Sequence, residues 1–337
     1  SFPKKVLQMK FSLSLCLSLT ILAHSDKRIR KNMNKVDKRM LEAVADLHEI
    51  PQGAFSLRKN GESAERRSSA NIIIEPKKDK PGIDIIVKAG TKNESVHMPV
   101  IITKTGVEDL VYNDFYIGDN ADVEIVAGCG IHNCGSEESR HDGIHSFFVG
   151  KNARVKYTEK HFGSGEGDGS RNMNPTTVIN IGEGGYMEMD TTQIEGIDST
   201  KRVTTAKLSD DATLIIREKL MTHGKQRADT DFTVDLNGKN SAANVISRSV
   251  AKDESSQLFL STINGNNICN GHTECDAIIM DKAHVAAVPK ITANHIDASL
   301  IHEAAIGKIA GEQLIKLMTL GLSEQEAEEQ IVNGFLK

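Results

Sequence analysis

Residues 269–276, CNGHTECD, contain a thiol, an imidazole and a second thiol at intervals of three residues: Cys269, His272 and Cys275. Thiolate and imidazole groups are ligands for iron–sulfur clusters, zinc and copper(I). The spacing matches no zinc-finger template, so it does not by itself identify a metal. The stretch therefore predicts either a metal-related site or a tight turn that holds two buried thiols.

A second stretch, residues 129–145, is richer still in potential ligands. It reads CGIHNCGSEESRHDGIH and contains Cys129, His132, Cys134, His141 and His145. One interpretation is the zinc site of a metal-dependent enzyme. The other is a strand–loop–strand segment whose side chains point to different faces, and the sequence leaves both open.

A third candidate is the adjacent pair His302 and Glu303, in the stretch LIHEAA. Imidazole and carboxylate groups can complete a metal site. On a helix, an adjacent His-Glu pair is more commonly part of a solvated face, and this interpretation also stays open.

Several function classes are disfavoured by the sequence. It contains no G-x-x-x-x-G-K-[ST] motif for P-loop nucleotide hydrolysis and no G-x-S-x-G motif for a nucleophilic serine. The net charge of −5 argues against a nucleic-acid footprint. The sequence therefore predicts no nucleotide hydrolysis of the P-loop kind by this chain.

The elements that carry these residues follow a repeat. Gly118, Gly150 and Gly182 are spaced 32 residues apart, and each precedes a short polar turn and alternating apolar positions. The pattern continues in looser form to residue 289. Recurring strand–turn–strand units that bury their apolar side chains only when stacked predict an all-β solenoid. Gly, Asp or Asn is expected at its left-handed corners.

Helical segments are predicted at both ends of the solenoid. Apolar residues at helical spacing between Val36 and Leu47 indicate an amphipathic helix. From residue 298 the chain is again predicted to be helical, with a capping box that starts at Ser323. The predicted organisation is a leader (1–32), an N-terminal helix with leading strands (33–100), a β-helix core (101–297) and a C-terminal helical segment (298–337).

The first 32 residues have the pattern of a secretory signal. A basic start precedes an apolar run from Phe11 to Ala23, which is too short to span a membrane. The stretch is either a signal-like leader or non-native sequence upstream of a start at Met33. The chain has five cysteines, an odd number, and four of them lie near histidines, which favours ligands or reactive thiols over a disulfide framework. We therefore predict a reduced, cytoplasmic protein.

The C-terminal part of the sequence resembles a known family. TECDAIIMD, followed by LIHEAAIGKIAGEQLIKLMTLGLSEQEAEEQIVNGFL, is similar to the end of the SUF-system scaffold proteins of SufB/SufD type, and the resemblance covers residues 100–337. It implies a right-handed parallel β-helix with flanking α-helical segments. It also implies two partners, a SufC-type ABC ATPase and a second SufB/SufD-type subunit in a homo- or heterodimer. The short N-terminal part leaves the SufB-like and SufD-like roles open.

The same resemblance implies site residues. Cys275 corresponds to the cysteine of a TQCD-like motif, and Glu303 to the glutamate of an EHEA-like motif, with His302 beside it. Cys269 and His272 are further candidate metal ligands. The implied function is a non-enzymatic scaffold that holds a transient iron–sulfur cluster loosely enough to release it. A zinc-dependent β-helix enzyme and a purely structural β-solenoid are the alternatives.

Overall fold

The computed structural model describes residues 33–47 and 51–337, so the predicted leader at residues 1–32 lies outside the described part. Within these ranges no helix is both long and apolar enough to cross a bilayer. The helices are α1 (Lys35–Ala45), α2 (Gly311–Thr319) and α3 (Glu324–Phe335). The strands are β1 (Ala54–Lys59), β2 (Glu62–Arg67), β3 (Ile72–Pro76), β4 (Gly82–Val87), β5 (Glu94–Ile102), β6 (Glu108–Ile117), β7 (Asp122–His132), β8 (Ser139–Val149), β9 (Arg154–Ser164), β10 (Arg171–Met173), β11 (Thr176–Ile181), β12 (Tyr186–Glu195), β13 (Ser199–Leu208), β14 (Thr213–Thr222), β15 (Arg227–Leu236), β16 (Ser241–Ala251), β17 (Ser256–Gly265), β18 (Cys269–Ile279), β19 (His284–Ala293) and β20 (Ala298–Gly307).

The strands form two sheets around a common apolar core. One sheet has the order β2-β1-β5-β7-β9-β12-β14-β16-β18-β20, and the other β19-β17-β15-β13-β10-β8-β6-β4-β3, with β11 also between β13 and β8. Neighbouring strands are parallel except in the pairs β1–β2 and β3–β4. From β4 onward the chain passes back and forth between the sheets and so winds into coils. The predicted all-β solenoid with parallel strands is confirmed.

Side chains alternate between the core and the outside along most strands. In β15, for example, every second residue from Ala228 to Leu236 is buried. Equivalent positions of successive coils stack, as Phe115 does on Phe147 with ring centroids 4.3 Å apart. Each coil therefore covers the apolar side chains of the next, which is the burial that stabilises a solenoid.

The corners between the sheets follow the predicted chemistry. The left-handed conformation is taken by Asn120, Asn152, Gly184, Asp211 and Asn240 at equivalent corners of successive coils. The glycines that mark the repeat are required for a different reason. A Cβ at Gly118 would lie 2.4 Å from the backbone nitrogen of Ala89 in the preceding coil, so only glycine lets the coils approach this closely.

Helix α1 covers the outer face of the first coils, as predicted for an amphipathic helix. A capping box between Asn34 and Asp37 starts it, and the Asp37 carboxylate also accepts a hydrogen bond from Lys59 Nζ at 2.6 Å. Strand β7 presents Gly128 to the helix, where a Cβ would lie 2.0 Å from the backbone oxygen of Val44. The glycine therefore lets α1 lie directly on the sheet.

The C-terminal segment differs from the prediction at its start. Residues Ala298–Gly307 were predicted to be helical, but they form β20, which pairs in parallel with β18. The helical segment begins only at Gly311, and the predicted capping box at Ser323 opens α3. Helix α3 packs on the solenoid through Val332, and Leu336, directly after the helix, joins the same contact with Val250. The solenoid is thus one strand longer than the sequence predicts, and His302 and Glu303 lie on a strand.

Candidate functional site

Among the described residues, the solenoid ends in two strands that each have an edge without a pairing strand. β20 is the last strand of one sheet and β19 the last strand of the other. Here Val288, Ile291, Ile301 and Ile306 are between 39% and 54% exposed. Accessible apolar side chains beside unpaired strand edges are typical of an interaction surface. We refer to β19 and β20 as the open end.

Strand β18 carries the CNGHTECD stretch beside the open end. The stretch is extended, so the tight turn considered above is wrong. Cys269 and Cys275 both point into the core and are each 1% exposed. Because they are six residues apart on one strand, their Cα atoms are separated by roughly 20 Å. The two thiols therefore belong to no common site.

Cys275 lies one strand from the edge of its sheet. It pairs with Ser247 of β16 on one side and with Ala304 of β20 on the other. Burial, and after it the charges of Glu218 and Asp276, raises the pKa of Cys275 to about 12. The thiol is therefore protonated at neutral pH, and it becomes a good metal ligand only when its burial is relieved or a metal displaces the proton.

His302 shares the inward face with Cys275. It pairs with Thr273, which is 1% exposed, and parallel neighbours in register point to the same face. In the described part of the chain, the His302 Nδ1 is buried and makes no hydrogen bond. Burial, followed by repulsion from His272, lowers the pKa of His302, so its ring is neutral at pH 7. A neutral imidazole with an unpartnered nitrogen is suited to bind a metal.

Glu303 and His272 lie on the opposite, outward face of the sheet. His272 Nε2 is 3.6 Å from Glu303 Oε2, and with Glu274 they offer three ligand atoms within 4.8 Å of one another, the one such group in the described ranges. His272 Nδ1 lies 2.9 Å from Asn244 Oδ1, which leaves Nε2 for a ligand. One imidazole and two carboxylates suit a divalent cation.

The structure thus divides the predicted site residues between two faces of one sheet. Cys269 stands apart from both groups, at the other end of β18. Glu274 was missed by the sequence analysis, although its two-residue offset from His272 places both on one face of a strand. We refer to Cys275 and His302 as the inner pair, and to His272, Glu274 and Glu303 as the outer cluster.

Comparison with known proteins connects this end of the solenoid with a family. Residues 110–335 match the family model described as SUF system FeS cluster assembly, SufBD core domain. The chain belongs to the SufBD family. The matched region includes the inner pair, the outer cluster and both C-terminal helices of this SufBD chain, so the resemblance seen in the sequence is confirmed.

Individual relatives support the assignment to SufBD. The chain is 31% identical to an iron–sulfur cluster assembly SufBD family protein of Archaeoglobus fulgidus, over 67% of this chain and 60% of that protein. It is 28% identical to a SufBD family protein of Methanocaldococcus jannaschii, over 88% of this chain and 96% of that protein. The chain therefore spans less than two thirds of the first relative and nearly all of the second. Membership of SufBD supports a role in iron–sulfur cluster assembly.

The second ligand-rich stretch, residues 129–145, is split between the surface and the core of the SufBD chain. Cys134 is exposed, and its Sγ lies 3.1 Å from His132 Nε2. Cys129, His141 and His145 point into the core and are buried. The side chains of this stretch therefore point to different faces, as one of the two interpretations predicts. Cys129, His141 and His145 nevertheless share the core.

Those three residues join a buried charged network that the sequence analysis missed. Arg202 Nη1 donates to Glu159 Oε2 at 2.7 Å, and Arg202 Nε lies 3.7 Å from Glu218 Oε1. His161 is beside them, with Nε2 3.5 Å from Glu159 Oε1. All four side chains are 5% exposed or less. Ions buried this deeply depend on one another for compensation.

The network changes the acidity of Cys129. Burial alone would raise the pKa of this thiol, but attraction to His141 and then to His161 lowers it to about 7. Burial opposes protonation of His141, yet Cys129 and Asp109 raise the pKa of that imidazole to about 10. Cys129 is therefore partly thiolate at neutral pH, whereas Cys275 is not.

One of the four described cysteines should react with a thiol reagent before the others. We expect iodoacetamide to label Cys134 first, because it is exposed and touches an imidazole, whereas Cys129, Cys269 and Cys275 are each less than 5% exposed. Timed labelling followed by peptide mass spectrometry measures the order, with Cys134→Ser as the control that removes the fast peptide. Fast labelling of Cys275 would show that the open end leaves this thiol uncovered.

Proposed function

We propose that this SufBD chain is a non-enzymatic scaffold subunit that builds nascent iron–sulfur clusters at its open end and passes them on. The observation that carries the proposal is Cys275, one strand from a free sheet edge and on the same face as the unpartnered Nδ1 of His302. We place this work in the cytoplasm, because the four described cysteines are free thiols and cluster ligands must stay reduced.

The proposed ligands suit a cluster that must be released. Resident clusters are commonly held by four thiolates. The inner pair offers one thiol and one imidazole, and the outer cluster adds an imidazole and carboxylates on the other side of the same two strands. Because burial keeps the Cys275 thiol protonated, a shift of β20 that relieves this burial would help the thiol to bind iron. A partner that moves the edge strand would therefore control assembly.

A second SufB/SufD-type subunit is the first proposed partner, in a homodimer or a heterodimer. The free edges of β19 and β20 carry unpaired backbone groups that can extend a sheet across an interface. Pairing there would also cover exposed side chains such as Ile301 and Val288. It would bring the ligand groups of two subunits to one interface, where a cluster could form between them.

A SufC-type ABC ATPase is the second proposed partner, because the sequence has no P-loop. Helix α2 is suited to bind it, since none of its residues is buried. Ile315 and Met318 of this helix, and Leu320 directly after it, are between 42% and 80% exposed. Apolar side chains presented on a helix can dock into a groove of a partner.

Replacing Ile315 with aspartate should abolish copurification with the ATPase, because an unpaired carboxylate in an apolar interface is strongly unfavourable. A pull-down with the tagged ATPase measures this. Leu110→Asp is the matched control, since Leu110 is also exposed, at 46%, but lies on β6. A point substitution is preferable to deletion of residues 298–337, which would also remove β20. Undiminished binding by Ile315→Asp would exclude α2 from the interface.

Anaerobic reconstitution tests the scaffold function itself. The chain copurified with its ATPase, and given ferrous iron, a sulfide source and ATP, should develop the visible absorption of an iron–sulfur cluster and transfer it to an apo-acceptor protein. Acid-labile sulfide and iron per chain quantify the product. An intact complex that gains neither absorption nor sulfide would overturn the proposal.

A further inference from the structure

We propose a metal site inside the first coils of the solenoid, where Cys129, His141 and His161 bind zinc or another borderline divalent cation, with His145 facing the fourth position. The site is distinct from the inner pair and the outer cluster, and it does not depend on the proposed scaffold function. The four side chains come from the consecutive strands β7, β8 and β9. All point into the core, where each residue is less than 5% exposed.

The strand register brings these groups together. Cys129 and His161 are direct neighbours in the β7–β9 pair. On β8, Gly143 separates His141 from His145, and a Cβ there would lie 3.3 Å and 3.2 Å from their respective Nε2 atoms. Because Gly143 has no side chain, a gap remains at this position, and the Nε2 atoms of His141 and His145 both face it. The Cys129 thiol is close enough to interact with both His141 and His161.

In each imidazole the other ring nitrogen is already engaged. The pairs are His141 Nδ1 with Asp109 Oδ2 at 3.0 Å, His161 Nδ1 with Gln193 Oε1 at 3.2 Å, and His145 Nδ1 with the Tyr157 hydroxyl at 2.9 Å. Tyr157 donates its own proton to Glu159, so His145 Nδ1 must be the donor to Tyr157. For His141 and His145, a proton on Nδ1 leaves the lone pair of the neutral ring on Nε2. His161 Nδ1 lies between Gln193 Oε1 and the donor Arg202 Nη2, which is 3.4 Å away, so its lone pair is on Nε2 only when the ring donates to Gln193. Metal-bound histidines show the same pattern of an outer partner on the second nitrogen.

Two of the three Nε2 atoms are buried without a direct hydrogen bond in the described part of the chain. They belong to His141 and His161, and the Cys129 thiol is the group with which both rings interact. The nearest carboxylate oxygen to His161 Nε2 is Glu159 Oε1, 3.5 Å away, and that oxygen already accepts from Tyr157. Buried nitrogens without a partner are unfavourable and rare in folded proteins. A cation between them and the Cys129 sulfur would satisfy both.

The fixed charges around the gap also favour a divalent cation. Two guanidinium groups contact three carboxylates in this network: Arg58 and Arg202 with Asp109, Glu159 and Glu218. With a Cys129 thiolate and neutral imidazoles, the sum is two negative charges, which one divalent ion balances. The competing occupants are two protons, on His141 and His161, and the experiment must distinguish them from a metal.

The donor set indicates which ion would bind. Thiolate sulfur and imidazole nitrogen are both zinc ligands, so one thiolate with two or three imidazoles suits four-coordinate zinc, and cobalt(II) replaces zinc as a coloured reporter. The donors of this site do not all lie within 4.8 Å of one another, as those of the outer cluster do, so the ion would draw the rings inward. Because the site is sealed inside the coils, we expect the ion to enter during folding and to exchange slowly.

Metal analysis of the full chain tests the site. Protein produced in minimal medium with zinc, and separately with cobalt, should carry one ion per chain after passage over a chelating column. X-ray absorption of the zinc form should show sulfur and nitrogen neighbours, and the cobalt form should show a thiolate-to-cobalt charge-transfer band. Cys129→Ser should remove that band, and His161→Asn should lower the metal content by more than tenfold.

The control variants come from the same stretch of sequence. Cys134→Ser and His132→Asn remove the surface thiol–imidazole pair and should leave metal content and the cobalt band unchanged. Circular dichroism verifies the fold of each variant. If a core variant fails to fold, the sulfur neighbour and the charge-transfer band of the unmodified chain still decide the question. Substoichiometric metal, a coordination shell without sulfur, or metal lost in Cys134→Ser but kept in Cys129→Ser would each overturn the site.

Discussion

Replacing Cys275 with serine should nearly abolish cluster assembly while the solenoid stays folded. Serine nearly keeps the volume of the side chain but removes the thiol of the inner pair. Loss of an outer partner of a metal ligand already costs about 10–100-fold in affinity, so loss of the thiolate itself should lower iron and sulfide per chain by at least that much. Anaerobic reconstitution with the ATPase partner, followed by iron and sulfide analysis, measures the effect.

Cys269→Ser is the matched control for this experiment. Cys269 is on the same strand, points to the same face and is equally buried, but it lies at the far end of β18. Both variants therefore remove one buried thiol from the same sheet, and only Cys275→Ser should lose the cluster. Glu303→Ala should reduce the yield less, because the thiol remains. Normal assembly by Cys275→Ser, with loss in Cys129→Ser, would move the cluster to the interior network.

Most of the fold could be predicted from the sequence because a solenoid repeats its local rules. Apolar alternation gave the strands, and the polar turns at Asn120 and Asn152 gave the left-handed corners. The error at residues 298–307 has a physical cause. The stretch contains three Ala and a Glu, which favour a helix, and two Ile, which favour a strand, so pairing with β18 decides between them. The local sequence of residues 298–307 does not show that the stretch will pair with β18.

The candidate site was predicted as one group of ligands, and the structure separates it. Cys275 and Glu303 lie on neighbouring strands but on opposite faces, which depends on the register of β20 against β18. A shift of one residue would place both on one face, and sequence spacing across a turn does not fix that register. The family resemblance gave the residue types, and only the strand pairing shows which of them share a face.

The interior network was missed for a different reason, although the sequence contained the signal. Its members are scattered in sequence, but many are one coil apart. His161 follows Cys129 by 32 residues and Gln193 follows His161 by 32. The same interval links Asp109 to His141. The interval that identified the repeat glycines also predicts which polar residues stack inside the core.

Replacing Arg202 with methionine should destabilise the chain by about 3–5 kcal/mol, because removal of one partner leaves a buried charge without compensation. Arg202 is 4% exposed and faces Glu159 and Glu218. Burial opposes ionisation of Glu159, but Arg202 and then His161 hold its pKa well below the ordinary value of 4.5. This contribution is present above pH 4.5 and is lost as the pH falls further, so the difference from the unmodified chain should narrow in acid. Urea unfolding followed by circular dichroism measures both effects.

Arg217→Met is the matched control, because Arg217 also contacts two carboxylates, Glu188 and Asp190, but on the outer face of its sheet. Its side chain is 41% exposed, so water solvates the remaining charges and the expected change is below about 1 kcal/mol. The same substitution thus separates the effect of burial from that of the ion pair. Equal destabilisation by the two variants would mean that the charges inside the solenoid are reached by water, and a sealed metal site among them would then be untenable.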